Sequence, residues 1–441
     1  MTVVELADAM SDHSHDHSHP HHHSSGDSAG LGRRGLLAGA AGAGGLLLLA
    51  AAPGRAAAAP AGTHLAESAT AATAGSAAAL TGASRASAIT QGTTLVHADM
   101  HNHTVMSDGD GDPNLAFASM RSAGLDVAAL TDHATLFSIS GLSKSEWDRT
   151  GTLANAADDP GNYTAIRGFE WSHPLLGHVN VWGTASFTDL GGSSNMGGLY
   201  NWIINNGGIA SFNHPGREIA RFGNFSYTAS ARDAMVSLEM FNRGDDYLFD
   251  GWSDGRTSAL NACLNAGWRT GLSGVSDEHG TNWGFPEGKG RMGLWVTQNT
   301  RAGVFEAMRA RRFFATRVSG LRLDATATTP AGAVARMGGV LPMSRGDVRF
   351  AVDLNRGPEW DGKPLRIQVL RPGSTAPTVP LVVDTVANTV ATFTLPLDVA
   401  AGNWVVLRVS DPTQPNPSPG PNAHPCNDFG VAYSSPWWLQ P

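Results

Sequence analysis

The chain has 441 residues and a formal net charge of -8, which excludes a broad nucleic-acid or anionic-membrane surface. Hydrophobic residues at 41% allow a sizeable core, and the length allows two domains behind a processed N-terminus. Two cysteines, Cys263 and Cys426, exclude a disulfide scaffold and a thiolate zinc site; they read as two separate free thiols, although export leaves a disulfide between them open.

Residues 1–60 read as a leader and targeting signal. A polar stretch carries a histidine run from His13 to His23, then come Arg33-Arg34, an apolar Gly/Ala/Leu run from Gly35 to Ala52, and small residues Ala56 to Ala59. This order describes a twin-arginine export signal, so the mature protein is expected to be secreted or extracytoplasmic. The apolar run is too weakly hydrophobic for a stable membrane anchor, which needs about 20 strongly apolar residues. Residues 61–92, rich in Ala, Ser, Gly and Thr, are expected to be a disordered linker.

From Thr94 the pattern alternates strand and helix. Thr94 to Met100 is a predicted strand ending in His101-Asn102-His103. Asp112-Pro113 opens a helix with Leu115, Ala118 and Met120 as apolar positions, closed by Gly124. Further strands are predicted at Val127 to Leu130, Tyr163 to Phe169, Val179 to Trp182, Ile209 to Phe212, Met235 to Met240 and Thr270 to Val275, with helices at Gly198 to Asn206 and Thr257 to Ala266. The alternation implies parallel strands with helical crossovers, in a βα barrel or a doubly wound sheet. Polar residues recur at the C-terminal strand ends, where such barrels carry their sites.

The histidines collect at those boundaries. Of 17, seven lie in the leader; six of the remaining ten are His101, His103, His133, His178, His214 and His279. His101 and His103 are two apart on a strand, so both face one side and can share a metal. Asp277 and His279 repeat that spacing, with Glu278 pointing away. Asp108 sits in Ser107-Asp108-Gly109, which also reads as a simple turn. Glu170 ends an apolar strand, where a carboxylate can bridge two metals. His97 and Asp99 share the parity of His101 but lie deeper. Glu239 reads either as a partner of a ligating histidine or as an ordinary buried carboxylate. Mixed imidazole and carboxylate donors suit Zn²⁺, Mn²⁺ or Fe²⁺.

Taken in order, His101-x-His103, Ser107-Asp108-Gly109, Thr131-Asp132-His133, Gly168-Phe169-Glu170, Gly177-His178, His214-Pro215 and Asp277-x-His279 resemble the PHP (polymerase and histidinol phosphatase) superfamily. The late segment Gly303 to Thr316 resembles the helix-plus-Ala-Thr ending of its carbaryl-hydrolase-like branch. The resemblance implies a distorted (β/α)7 barrel over residues 93–317, with two or three divalent metals. His101, His103, Glu170 and Asp277 would hold the first. Glu170 would bridge to a second on His178 and His214, and Asp108, His133 and His279 would hold a third. His173 competes with His178, which opens its strand as the family's pattern does.

The implied activity is hydrolysis by a metal-activated hydroxide on a small-molecule or polymeric ester. A phosphoester is the first choice, a carboxylester, amide or carbamate the second, and a non-catalytic metal- or ligand-binding protein the third. Arg217 and Arg243 are candidates for charge stabilisation on the substrate, and equally read as surface or capping arginines. Residues 318–441 lose the long helical segments and alternate over Arg349 to Leu354, Leu365 to Leu370, Ala391 to Leu397 and Trp404 to Val409, which predicts a small β-sandwich-like domain.

Overall fold

The computed structural model describes residues 84–136, 141–250, 255–284 and 288–441. The histidine-rich leader, the twin-arginine signal and the linker up to residue 83 lie outside the described residues. Among the described residues, no helix is long and apolar enough to cross a membrane.

The chain runs β1 (Thr94–Asp99), α1 (Pro113–Ser122), β2 (Val127–Leu130), β3 (His133–Ala134), α2 (Lys144–Ala157), β4 (Thr164–His173), β5 (Gly177–Trp182), α3 (Met196–Asn205), β6 (Ile209–Phe212), β7 (Met235–Asn242), β8 (Asp245–Asp246), α4 (Ala259–Ala266) and β9 (Gly271–Val275). The fold is mixed α/β around a large mixed sheet. β1–β2, β2–β4, β6–β7 and β7–β9 pair in parallel. Beyond the end of β9, Asp277 N donates to His101 O and His103 N to Glu278 O, so the row of pairings returns to β1. β2, β6 and β9 are buried along their whole length, as strands covered on both faces must be. Gly274 in β9 lets its backbone close on its neighbours, since a Cβ there would lie 2.6 Å from Arg291 O.

The all-parallel expectation fails at β5. It pairs antiparallel with both β4 and β6. Only residues 174–176 separate β4 from β5, too few for the crossover that a parallel return needs, so the chain reverses as a hairpin. Gly177 makes that turn at φ 112°, and a Cβ there would meet the Phe222 ring at 2.6 Å.

α1 starts as its sequence predicts. Asp112 accepts a hydrogen bond from Asn114 N, and Pro113 takes the first helical position. Its buried face differs: Ala116, Phe117 and Met120 pack inward, while Leu115 and Ala118 face solvent. Phe117 and Met120 join Leu125, Leu130, Tyr163 and Trp283 in one apolar cluster beneath α1 and α2. The larger ring of Phe117 decides which face turns in, because it removes more apolar surface from water than Leu115 would.

The second half continues with β10 (Arg291–Val296), α5 (Arg301–Arg309) and β11 (Phe313–Thr316), then strands broken only by two short 3-10 turns at Pro358–Trp360 and Val399–Ala401: β12 (Arg322–Thr328), β13 (Val334–Arg336), β14 (Val340–Leu341), β15 (Arg345–Asn355), β16 (Pro364–Arg371), β17 (Thr378–Val386), β18 (Thr389–Asp398), β19 (Trp404–Pro415), β20 (Asp428–Ser434) and β21 (Trp437–Leu439). β13–β12–β15–β18 form one antiparallel sheet. β17–β16–β19–β20 form another. Leu323, Phe350 and Val352 of the first meet Ile367, Leu407 and Val409 of the second in a shared core. The second sheet does not stand apart, because β20 pairs with β11, and β11 through β10 with β1. Cys263 and Cys426 are buried free thiols.

Within the linker expected over residues 61–92, residues 84–92 are held by hydrogen bonds. Ser87 Oγ and Thr90 Oγ1 donate to Asp324 Oδ2 at 2.5 and 2.6 Å, and Ala88 N donates to Asp353 Oδ2 at 2.8 Å. Arg85 pairs with Asp126. The buried carboxylates of Asp324 and Asp353 need donors, and residues 84–92 supply several of them.

Candidate metal centre

The proposed ligands lie within strands or just beyond their ends. His101 and His103 follow β1, Asp108 lies in the loop beyond them, and His133 opens β3. Glu170 lies within β4 and His178 within β5, while His214 follows β6 and Asp277 and His279 follow β9. All nine come together around three carboxylate oxygens. Glu170 Oε1 lies 3.2 Å from His101 Nε2, 3.3 Å from His178 Nδ1 and 3.2 Å from His214 Nε2. Asp277 Oδ1 lies 3.4 Å from His101 Nε2, 3.3 Å from His103 Nε2 and 3.4 Å from His279 Nδ1. Asp108 Oδ1 lies 3.4 Å from His133 Nε2 and 3.3 Å from His279 Nε2. Four groups of three or four of these side chains and Glu218 offer donor atoms within 4.8 Å of one another. The separation of His279 from the first cluster is less sharp than the sequence reading drew it, since its ring bridges Asp277 and Asp108.

The tautomer of His101 tests whether this donor set suits a cation. Its Nδ1 lies 2.8 Å from Glu239 Oε1. A carboxylate only accepts, so Nδ1 carries the proton, and in the neutral ring Nε2 presents a lone pair. That lone pair faces His103 Nε2 at 3.0 Å as well as the Glu170 and Asp277 oxygens. Imidazole nitrogens and carboxylate oxygens gathered this closely in a largely buried site favour a positive charge among them, as a proton or a metal ion supplies. His214 Nδ1 and His178 Nδ1 are likewise buried without a hydrogen-bond partner among the described residues. The donor set fits divalent cations.

The electrostatics point the same way. Burial opposes charge on His101, yet the carboxylates of Asp277, Glu170 and Glu239 outweigh it and hold its pKa well above the usual imidazole range. Burial also opposes charge on Glu170, and the surrounding histidines, His178 and His101 foremost, hold its carboxyl well below the usual range. On His103, burial and the neighbouring rings of His279 and His133 win, and its pKa falls.

Several neighbours hold these groups in place. Glu239 Oε2 accepts from His214 N at 2.7 Å and from Asn242 Nδ2 at 2.9 Å, so one buried carboxylate fixes two histidine-bearing strand ends. Asp132 accepts from Thr104 N at 2.7 Å and Ser107 Oγ at 2.7 Å, which shapes the loop that presents Asp108. Asp99 Oδ1 accepts from Ser276 N and His101 N, a structural task. His97 is buried, and burial with Arg85 and Arg291 nearby pulls its pKa down to about 3. His173 Nδ1 accepts from Leu175 N and Leu176 N at 3.1 Å, which closes the β4–β5 turn rather than facing the cluster. Glu278 pairs with Lys289, away from the cluster.

Arg217 and Arg243 lie at the rim, and both turn on Asp277. Arg217 Nη1 donates to Asp277 Oδ2 at 3.0 Å and Nη2 to Asn242 Oδ1 at 2.9 Å. Arg243 Nη2 lies 3.0 Å from His279 Nδ1, and Nε donates to Asp277 O at 3.3 Å. His214, Arg243 and Asp277 have φ of 25°, 52° and 48°. Such backbone costs about 1–3 kcal/mol per residue and concentrates where function fixes it.

One residue of the centre escaped sequence reasoning. Glu218 Oε1 lies 3.7 Å from His178 Nε2 and 3.5 Å from His214 Nδ1, on the side opposite Glu170. Its separation of four from His214 was the available signal, in a segment with no helical period to give it weight. A carboxylate there can orient both rings, so Glu218→Ala is expected to weaken metal affinity by about 10- to 100-fold. Glu218→Gln, which keeps an acceptor, is expected to lose less; titration with Mn²⁺ followed by calorimetry distinguishes them.

Neither a protein-family model nor a curated protein matches the chain. Among solved structures, a two-domain protein from Bacteroides vulgatus containing a predicted PHP-like metal-dependent phosphoesterase is similar at 14% identity, covering 78% of this chain and 95% of that one, with a TM-score of 0.42. An amidohydrolase from Chromobacterium violaceum with bound sulfate and no metal is similar at 16% identity over 48% of this chain and 96% of that one, with a TM-score of 0.31. Likenesses this distant do not decide the chemistry; the side chains do.

Proposed function

We propose that the chain is an exported metal-dependent hydrolase of the PHP type, acting on a phosphomonoester or phosphodiester. On this reading residues 93–317 are a distorted (β/α)7 barrel, residues 318–441 a β-sandwich-like domain, and residues 1–60 a leader with a twin-arginine signal. The single observation behind it is the convergence of six imidazoles on the carboxylates of Glu170 and Asp277, with the far nitrogen of His101 fixed by Glu239. His101, His103, Glu170 and Asp277 would hold one ion, Glu170, His178 and His214 a second, and Asp108, His133 and His279 a third. Thiolate-free donors of this kind suit Zn²⁺, Mn²⁺ or Fe²⁺. Divalent ions bound there supply Lewis acidity and activate water near neutral pH.

The chain's own part is to position and neutralise. Arg217 and Arg243 place two guanidinium groups beside Asp277 at a partly open rim, where they can take the anionic oxygens of a phosphoryl group. Two such cations favour a phosphoester over a neutral ester. A carboxylester, amide or carbamate is the second reading, supported by the likeness of Gly303 to Thr316 to the carbaryl-hydrolase-like branch.

Turnover of a generic phosphodiester, phosphomonoester, carboxylester and aryl carbamate, each with and without chelator, tests the assignment. Phosphoester hydrolysis abolished by chelator and restored by added metal is expected. Hydrolysis confined to the carbonyl substrates would move the protein to the second reading, and full activity in metal-free protein would remove both.

A further inference from the structure

A buried ionic network joins the C-terminal sheet to the rim of the metal centre. Asp246 Oδ1 accepts from Tyr433 Oη at 2.8 Å and from Leu248 N at 3.1 Å. Its Oδ2 faces Arg408 Nη2 at 3.7 Å and Arg317 Nη2 at 3.9 Å, with all three side chains at most 1% exposed. Arg408 in turn donates from Nε to Tyr433 Oη at 3.0 Å and from Nη1 to Asp428 Oδ1 at 2.8 Å and Gln368 Oε1 at 2.6 Å. Arg317 donates from Nη1 to Gly244 O at 2.9 Å and from Nε to Gly430 O at 2.7 Å, and its guanidinium lies over the Phe429 ring at 3.8 Å.

These contacts grip one short hairpin. β7 ends at Asn242, β8 returns at Asp245–Asp246, and Arg243 and Gly244 form the bend between them. Gly244 is held by Arg317, and Asp246 by Tyr433. Arg243, between them and the strand, carries positive φ and reaches His279 and Asp277. Buried ion pairs add little net stability compared with well-packed apolar groups, because desolvation offsets their attraction. What directed hydrogen bonds supply is geometry, and here they hold one side of a hairpin whose other side is held by Arg243 N donating to Val275 O and Gly290 N donating to Arg243 O.

We propose that Tyr433 and Arg408, together with Arg317 just beyond β11, make the C-terminal sheet a positioning part of the active site, by fixing the Arg243–Asp246 hairpin that presents Arg243 to Asp277 and His279. This rests on the hydrolase reading for its catalytic consequence, but its structural core does not.

Hydrogen exchange on the full chain tests the structural core. Tyr433→Phe removes only the hydroxyl between Asp246 and Arg408, and is expected to speed exchange at the 243–249 amides by about ten-fold while leaving the 94–99 amides unchanged. Unchanged exchange at 243–249 would overturn the proposal whatever the protein hydrolyses. A double-mutant cycle tests the catalytic consequence. Tyr433→Phe is expected to lower kcat/KM about ten-fold at unchanged metal content, and to have little further effect once Arg243→Ala is present. An equal loss in both backgrounds would mean that Tyr433 does not act through Arg243, and would sink the positioning claim. Should Tyr433→Phe fail to fold, Asp246→Asn replaces it, keeping the Oδ1 acceptor while removing the charge that faces both arginines; the same outcomes then decide. A wild-type chain without hydrolase activity would count against the hydrolase reading alone.

Discussion

Glu170→Gln is expected to lower hydrolysis by about a thousand-fold, since losing several kcal/mol of charge stabilisation at the reacting centre has that effect on rate. The substitution keeps size and shape and removes only the negative charge, so the outcome reads the charge. Glu170 lies at the crossing of the whole centre. Its Oε1 meets His101, His178 and His214, and its Oε2 lies 3.6 Å from His103 Nε2 and closest of all to His133 Nδ1, at 2.6 Å. Asn213 Nδ2 also donates to Oε1 at 2.8 Å and would still find an oxygen in the glutamine. With the charge gone, five imidazoles face a neutral amide. Elemental analysis should therefore show at least one metal equivalent lost alongside the activity. A Glu170→Gln variant that keeps both its full metal content and its rate would remove Glu170 from the centre, and the proposed two-metal bridge with it.

The sequence offered the two-residue spacings of His101 with His103 and Asp277 with His279 as weak pairs, and the ordered motifs that resemble the PHP pattern gave them weight. Both pairs lie beyond their strands, and Asp277 has a positive φ of 48°, so strand parity alone does not place them. Polar residues ending apolar runs marked the strand ends that converge at one rim. Glu218 was not legible on the same terms. It follows His214 through a segment in which His214 has positive φ and the chain then makes a left-handed turn at Arg221–Phe225, and no periodicity describes such backbone. The reversal at β5 was hidden in a three-residue turn whose length outweighs the βα alternation around it. The inward face of α1 was misassigned because Leu115 and Phe117 both fit an apolar position, and only packing against Tyr163 and Trp283 separates them. The hold of the C-terminal sheet on Arg243 joins residues nearly two hundred positions apart, with no local pattern at either end.

The N-terminal edge of the described residues is where composition misled most, and it yields the second large effect. Residues 84–92 are poor in large apolar side chains, yet three of them turn their polar groups onto two buried aspartates. Asp324 is fully buried. It accepts from Ser87 and Thr90 at Oδ2, and at Oδ1 from Arg336 Nε at 2.6 Å and Ala325 N at 2.9 Å. Asp324→Ala leaves the Arg336 guanidinium, itself over the Trp295 ring at 4.3 Å, without its carboxylate. Removing one partner of a buried pair costs about 3–5 kcal/mol. The segment from Ser87 to Thr90 loses its anchor at the same time. The expected result is a lower urea midpoint and faster proteolysis within 84–92, with metal content unchanged, since Asp324 lies in the β12 sheet and touches none of the ligands. A chain shortened to begin at residue 93 is expected to shift the midpoint in the same direction but by less, because it keeps the Asp324–Arg336 pair while losing the Ser87 and Thr90 hydroxyls, the Ala88 N–H on Asp353 and the partly exposed Arg85–Asp126 pair. Equal midpoints for the shortened and longer chains would mean that residues 84–92 lie on the surface without stabilising it, and that the linker extends to residue 92 after all.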